Sequence, residues 1–196
     1  MKYYDLIQAF NDSKSDKNNL HKYAVAYDYV LNTQYLKKGS PLNMLEVGIR
    51  QGHSIDVWDK CPLINQITGV DVITKEHYEK SQIDNNLNWG LSDNVELIFD
   101  VDGYSEDFVE TLKDNKYDII LDDGDHIWES QLKFFHLYYD LLAPGGVMMC
   151  EDITQTYLPQ LQQLGQQYND FYIFDLRAKS NMHGNEIIAI IKKQYE

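Results

Sequence analysis

Short apolar runs alternate with stretches of helical spacing along most of this chain. The pattern predicts strands over 43–47, 66–72, 95–99, 117–121, 147–150, 171–175 and 186–191. Around these runs it predicts helices over 20–36, 54–60, 75–85, 106–112, 129–142 and 156–168. Gly39-Ser40-Pro41 is expected to stop the first helix, and Pro144-Gly145-Gly146 the fifth.

This alternation of strands and helices is typical of an α/β fold, a mostly parallel sheet with helices on both faces. Such sheets bind ligands outside the carboxyl ends of their strands, where the strand order reverses. The chemistry is therefore expected where the strands end. Acidic residues gather at those ends: Asp71, Asp102, Asp122, Asp123, Glu151 and Asp152.

Composition narrows the classes of partner. The 196 residues are 43% hydrophobic and suit one globular domain, 1–196. The formal net charge of −14, without a run of Lys or Arg, argues against nucleic acid and against an anionic membrane surface. Two cysteines outside any C-x-x-C pair predict neither a disulfide framework nor a zinc site. No signal peptide or membrane span is expected, and the expected location is the cytoplasm.

The end of the first strand carries glycines in the pattern Glu46-x-Gly48-x-x-x-Gly52. A glycine here lets the backbone turn tightly and lets a ligand approach. The spacing is not G-x-G-x-x-G, and no Lys-Ser or Lys-Thr follows as in a P-loop. The carboxylate of Glu46 favours a positively charged ligand without phosphate. Asp71 ends the next strand about 20 residues later, where a carboxylate can accept hydrogen bonds from ribose hydroxyls.

The most informative stretch is 118–126, where Asp122, Asp123, Asp125 and His126 crowd together. Such carboxylates repel one another unless a cation is present. The next strand ends in Glu151-Asp152, and adjacent strands lie about 4.8 Å apart. Acids from both ends can converge on Mg²⁺ or another hard divalent cation, which oxygen ligands favour over zinc.

Alternatives stay open for these residues. Side chains alternate along a strand, so Asp122 and Asp123 should diverge, one towards the metal and the other towards a cofactor or an amide. Asp123 and Asp125 are also suited to capping the following helix. His126 is either a catalytic base or an ordinary surface histidine.

Four motifs together resemble a known family. LEVGIRQGHS, TGVD, LDDGDH and APGGVMMCED resemble the macrocin and mycinamicin sugar O-methyltransferases. The similarity extends to Ser15-Asp16-Lys17, to His21-Lys22-Tyr23 and to Asp175-Leu176-Arg177. One departure is Asp125, where the family commonly has serine. Its charge is expected to raise the pKa of His126 or to add to the metal shell.

The resemblance implies a Rossmann-like methyltransferase fold with seven strands, the last antiparallel. It implies magnesium ligands and a base that act on a sugar hydroxyl of a small molecule or glycan. Apart from the resemblance, a homo-oligomer is also among the expectations. An amino-terminal helical segment, 1–40, is expected to cover the site. The implied S-adenosylmethionine site comprises Glu46, Gly48, Ser54, Asp71 on the ribose, Asp102 near the adenine, and Asp122. The implied metal ligands are Asp123, Glu151 and Asp152, with His126 as the base.

Three rival functions remain. A catechol or phenol O-methyltransferase would use the same metal chemistry on another acceptor. A non-catalytic nucleoside-binding module would keep the fold, although it would gain nothing from the crowded acids. A nicotinamide-dependent dehydrogenase is disfavoured by the missing third glycine and by Glu46.

Overall fold

A computed structural model describes residues 4–32, 41–178 and 186–195. Its centre is one seven-stranded sheet in the order β3-β2-β1-β4-β5-β7-β6. The strands are β1 Leu42–Val47, β2 Ile64–Val70, β3 Val95–Ile98, β4 Tyr117–Asp122, β5 Leu142–Cys150, β6 Asp170–Asp175 and β7 Ile187–Lys192.

The strand order reverses between β1 and β4. The chain winds outwards from β1 to β3 and then returns to β4 beside β1. The pairings among the first five strands are parallel. β7 runs antiparallel between β5 and β6. The mostly parallel seven-stranded sheet and the inserted antiparallel last strand are thus confirmed.

Eight α-helices surround the sheet in the described residues. They are α1 Leu6–Asn11, α2 Asp16–Asn19, α3 Ala24–Val30, α4 His53–Asp59, α5 Lys75–Asp84, α6 Glu106–Thr111, α7 Trp128–Tyr138 and α8 Leu158–Gly165. Alternating side chains of the central strands enter two separate apolar clusters. Ile119 and Leu121 of β4 join the cluster under α1, α3 and α4, whereas Ile120 packs on the other face with α7 and α8.

The amino-terminal region differs from its prediction. Within the helix expected over 20–36, the described residues form only the shorter α3, and the two short helices before it, α1 and α2, were not predicted. The backbone at Lys22 has φ +67°, a left-handed conformation that ends a regular helix between α2 and α3. Residues 33–36 of the predicted helix lie outside the described residues.

The start of β5 also differs. The strand begins at Leu142, so Pro144-Gly145-Gly146 lies within it rather than after a helix that ends at 142. A register shift between Tyr117 and Ile119 of β4 faces this stretch, and such irregularities tolerate proline. Among the residues described, no helix combines the length and apolar character needed to cross a membrane.

Candidate functional site

One cleft of about 850 Å³ opens at the carboxyl ends of β1, β2, β4 and β5. This is the edge where the strand order reverses between β1 and β4, the usual position for a ligand in such a sheet. Residues 14–17, His21 and Tyr23 of the amino-terminal segment line one wall of it. The predicted site residues that line it are Gly48, Ser54, Asp71, Asp102, Asp123, His126, Glu151 and Asp152.

The glycine loop after β1 packs directly against the loop after β4. Gly48 has φ +85°, and a Cβ built there would lie 2.1 Å from the carbonyl oxygen of Asp123. The amide of Asp123 in turn donates to the carbonyl of Val47 at 2.8 Å. Only glycine fits this close approach, so Gly48 joins the two halves of the cleft through its backbone.

Asp71 holds the glycine loop in place. Its Oδ2 accepts hydrogen bonds from the amides of Ile49 and Arg50, at 2.9 and 2.7 Å. Its Oδ1 accepts one from the amide of Ile73 at 3.0 Å. A carboxylate has about four acceptor positions, so Oδ1 retains one for a further donor. That Asp71 binds a ribose stays a prediction, and its role in shaping the loop was not foreseen.

Asp102 and Asp122 occupy contrasting positions. Asp102 is exposed and accepts from the amide of Tyr104 at 2.9 Å. Asp122 is only 2% exposed and lies beneath the cleft. Its Oδ1 accepts from the hydroxyl of Tyr104 at 2.7 Å, and its Oδ2 from the thiol of Cys150 at 3.3 Å. Burial raises the pKa of Asp122 to about 6, against these two hydrogen bonds. Asp122 and Asp123 do diverge, as strand geometry predicts.

An ammonium group lies among the acids predicted to bind metal. The Nζ of Lys17 is 2.6 Å from Asp123 Oδ2 and 2.9–3.0 Å from both carboxylate oxygens of Glu151. It is 3.6 Å from Glu46 Oε1, which also accepts from the Ser54 hydroxyl at 2.8 Å. Glu46 is fully buried below the cleft, so it faces Lys17 rather than open space.

Burial and the charge of Lys17 have opposite effects on the pKa values of these acids. Burial raises the pKa of Glu46 and of Glu151 to about 7, and the charge of Lys17 lowers both. Burial likewise raises the pKa of Asp123. Burial alone would lower the pKa of Lys17, but Asp123, Glu151 and Glu46 hold it well above its usual value. Lys17 is therefore a permanent buried cation among acids that are reluctant to ionise together.

A second group of acids and histidines faces the open cleft. Ligand atoms of Asp123, His126 and Asp152 all lie within 4.8 Å of one another, close enough to hold one metal ion. His126 Nδ1 and His21 Nδ1 each lie 3.8 Å from a carboxylate oxygen of Asp152. The hydroxyl of Tyr23 donates to that carboxylate at 2.8 Å.

The backbone explains how neighbouring acids reach different places. Asp152 has φ +51° and His126 φ +58°, so both lie where the chain has left its strand. Glu151 turns inward to Lys17 and accepts from the hydroxyl of Tyr27, whereas Asp152 turns towards the cleft. The predicted trio of Asp123, Glu151 and Asp152 is thus divided between Lys17 and the group around His126.

Asp125 belongs to the turn rather than to the metal group. Its Oδ1 accepts from the amide of Ile127 at 3.0 Å and its Oδ2 from the hydroxyl of Ser130 at 2.7 Å. These bonds fix the entry to α7. They match the capping alternative for Asp125, which lines the cleft but is not among the grouped ligand atoms of Asp123, His126 and Asp152.

Sequence reasoning missed the side chains that Lys17, Tyr23 and Tyr27 contribute to the site. Lys17 and Tyr23 stood inside segments quoted for their resemblance, but no role was attached to them. Lys17 and His21 are four residues apart, as are Tyr23 and Tyr27. Such spacing indicates one helical face, and a polar face of this kind was the available signal.

The chain resembles known proteins in its sequence. A family model described as "Methyltransferase domain" matches residues 45–153. An 8-demethyl-8-alpha-L-rhamnosyl tetracenomycin-C 2'-O-methyltransferase from Streptomyces olivaceus is 24% identical over 157 residues, covering 76% of this chain and 37% of that protein.

Solved structures resemble the whole described fold. The MycE methyltransferase of the mycinamycin biosynthetic pathway, in complex with Mg and SAH, superimposes with a TM-score of 0.72 at 18% identity, over 98% of this chain and 56% of MycE. A spermidine synthase from Thermotoga maritima reaches 0.58 at 17% identity, over 81% of this chain and 55% of that one. The fold alone therefore does not determine the reaction.

These relatives are longer proteins, since the chain spans little more than half of MycE and 37% of the tetracenomycin enzyme. The predicted methyltransferase fold is confirmed, and MycE shares it. The family match covers residues 45–153, which include the glycine loop, Asp71 and both acidic strand ends. On this match, which extends over more than half of the chain, the protein belongs to the methyltransferase-domain family.

Proposed function

We propose that this protein transfers a methyl group from S-adenosylmethionine to a hydroxyl group, with the help of a divalent cation, and that the acceptor is a sugar. The observation that carries the proposal is the single cleft in which the glycine loop and Asp71 meet the group formed by Asp123, His126 and Asp152. One half suits a nucleoside and the other a hard cation with a base.

The nucleoside half fits S-adenosylmethionine in its chemistry. Asp71 retains one acceptor position on Oδ1, which suits a ribose hydroxyl. Asp102 is exposed at the same edge, where an adenine would lie. The positively charged sulfonium would be placed near an acidic surface that includes Asp123. Glu46 and Asp122 lie beneath the cleft and would influence it through other side chains. Glu46 contacts Ser54 and Lys17, and Asp122 accepts a hydrogen bond from Tyr104.

The acidic half fits a cation such as Mg²⁺. The carboxylates of Asp123 and Asp152 offer oxygens within 4.8 Å of each other and of the His126 ring, and such oxygens favour hard divalent ions. Asp123 and Asp152 would hold the ion from the cleft side, with Glu151 behind them. When bound, the ion would stabilise negative charge that develops on the acceptor oxygen.

His126 is proposed as the base that removes the acceptor's proton. A sugar hydroxyl is almost un-ionised at neutral pH, so a positioned base is needed. The side chain of His126 is 40% exposed at the cleft, and its Nδ1 faces Asp152 at 3.8 Å.

The sugar assignment is supported by the named relatives. The curated one is a rhamnosyl tetracenomycin 2'-O-methyltransferase, and MycE was solved with Mg, SAH and Mycinamycin VI. A location in the cytoplasm and a homo-oligomer stay part of the proposal, as does a single domain over 1–196.

A methyl-transfer assay with a panel of acceptors tests the proposal. The purified protein receives S-adenosylmethionine, Mg²⁺ and free, nucleotide-linked or glycan-borne sugars, with catechols in parallel. We expect transfer to sugars that EDTA stops and added Mg²⁺ restores. Methylation of catechols alone would show that the proposed acceptor class is wrong. Full activity in EDTA would show that the reaction needs no divalent cation. Tight NAD binding without binding of S-adenosylhomocysteine would overturn the whole proposal.

A further inference from the structure

Lys17 carries a buried positive charge at the place where the proposed function needs a metal. Its side chain is 3% exposed, and its Nζ is 2.6 Å from Asp123 Oδ2 and 2.9 Å from Glu151 Oε2. Glu46 completes the surroundings at 3.6 Å. One ammonium is therefore the shared counter-ion of three carboxyl groups that come from the ends of β1, β4 and β5.

The amino-terminal segment delivers this charge and holds it in place. Ser15 caps α2, because its hydroxyl oxygen accepts from the amide of Lys17 at 3.3 Å. Tyr23 donates to Asp152 and Tyr27 donates to Glu151 from the same segment. Lys17 and Glu151 are 134 positions apart in the chain. The fold therefore builds this contact, and it is not a local ion pair.

A divalent ion and the ammonium would compete for the same oxygens. Magnesium binds carboxylate oxygens at about 2.0–2.1 Å and needs near-octahedral surroundings. Lys17 already lies against Asp123 Oδ2 and against both oxygens of Glu151. An ion shared by these two carboxylates would meet the ammonium at close range, and two like charges repel strongly in a buried environment.

We propose that Lys17 and the divalent metal are alternative counter-ions of Asp123 and Glu151, so that Lys17 sets the metal affinity of the site. Without metal, Lys17 neutralises the acids and holds them in place. A metal would bind through Asp152 and take the place of the ammonium on Asp123 and Glu151, so its binding works against the charge of Lys17. The inference rests on the proposed function for the presence of a metal.

Charge removal at Lys17 tests this with two measurements of opposite sign. Lys17→Met keeps most of the side-chain length, and Lys17→Gln keeps a hydrogen-bond donor. Both variants should melt at lower temperature without metal, because the acids lose their counter-ion. Both should also bind Mg²⁺ at least tenfold more tightly than the unaltered protein, by calorimetry with saturating S-adenosylhomocysteine.

Lys22→Met is the matched control. Lys22 lies in the same segment, and its Nζ donates to the carbonyl of Asn18 at 2.8 Å rather than to the acids of the cleft. The same loss of one charge there should leave the Mg²⁺ affinity within a factor of two. A gain equal to that of Lys17→Met would show a general effect of net charge and would overturn the inference.

The remaining outcomes separate the inference from the proposed function. If the unaltered protein binds Mg²⁺ and the Lys17 variants bind it equally or more weakly, Lys17 positions the acids and does not compete with metal. If none of these proteins binds Mg²⁺ or Mn²⁺, the metal-dependent function fails and the inference with it. Should both variants fail to fold, the side-chain ¹⁵N signal of Lys17 in the unaltered protein decides. A shift at metal saturation supports the inference, and an unchanged signal overturns it.

Discussion

The two halves of the cleft are held together by different kinds of contact. The half around Gly48 and Asp71 is held by backbone groups, since Asp71 accepts three amide hydrogens and Gly48 touches the carbonyl of Asp123. The acidic half is held by buried charged side chains from distant segments, such as Lys17 and Glu151. Backbone contacts of this kind leave little room for a change of shape, whereas buried acids need a cation beside them. Under the proposed function, the first half would bind the cofactor and the second would carry out the chemistry.

The largest expected effect separates chemistry from binding. Replacing His126 with Asn keeps a residue that tolerates the observed φ of +58° but removes the imidazole proposed as the base. A positioned base contributes about 10²–10⁴-fold, so kcat should fall by that order while the affinity for S-adenosylhomocysteine stays unchanged. Steady-state kinetics and calorimetry measure the two quantities.

The control for that substitution is His77→Asn on the exposed side of α5, outside the residues that line the cleft. It should change neither kcat nor cofactor affinity. A His126→Asn variant with normal kcat would return His126 to the status of a surface histidine, and the two halves would no longer differ in chemistry.

The next effect concerns the backbone contact between the halves. Gly48→Ala places a Cβ 2.1 Å from a backbone oxygen at a left-handed φ, and it should lower the free energy of unfolding by at least about 3 kcal/mol. Gly90→Ala is the control, because Gly90 has φ +54° but no atom within 4 Å of the added Cβ. It should cost about 1 kcal/mol from backbone strain alone. Urea denaturation compares them, and similar losses would mean that the close approach is easily relieved.

A smaller effect on stability is expected when a buried tyrosine hydroxyl is removed, and its size should depend on whether the hydrogen-bond acceptor is charged or neutral. Tyr23→Phe removes a hydroxyl that donates to the carboxylate of Asp152, and hydrogen bonds to charged groups contribute about 1.5–3 kcal/mol. Tyr138→Phe removes an equally buried hydroxyl that donates to the carbonyl of Gly103, where about 0.5–1.5 kcal/mol is expected. Thermal and urea unfolding should rank the losses in that order. The reverse order would show that the charge of Asp152 adds little to the acidic half.

The smallest effect concerns the nucleoside half. Asp71→Asn removes the negative charge of a side chain whose oxygens accept hydrogen bonds from three backbone amides. It should weaken binding of S-adenosylhomocysteine about tenfold, or by about 1.4 kcal/mol. Mg²⁺ affinity should stay the same, because the acidic half does not include Asp71. Asp102→Asn, which changes an exposed side chain with one amide partner, should weaken cofactor binding less. If Asp102→Asn has the greater effect, the assignment of these two acids must be reversed.

The sequence alone determined the architecture and the edge of the sheet that carries the site. Periodicity indicated each of the seven strands, because a buried parallel strand reads as a short apolar run between polar segments. Acids at the strand ends indicated the cleft, since the carboxyl ends of parallel strands meet at one edge. The motif resemblance indicated the family, and the match over 45–153 agrees with it.

Only the tertiary structure decided which partner each acid contacts. Glu151 and Asp152 are neighbours in sequence, yet one pairs with Lys17 and the other faces His126. This division depends on a positive φ at Asp152 and on an ammonium from a segment more than a hundred positions away. A linear pattern records the charge of each residue but not its distance from others. Since electrostatic energy depends on that distance and on burial, the counter-ion of the site emerges only when the chain is folded.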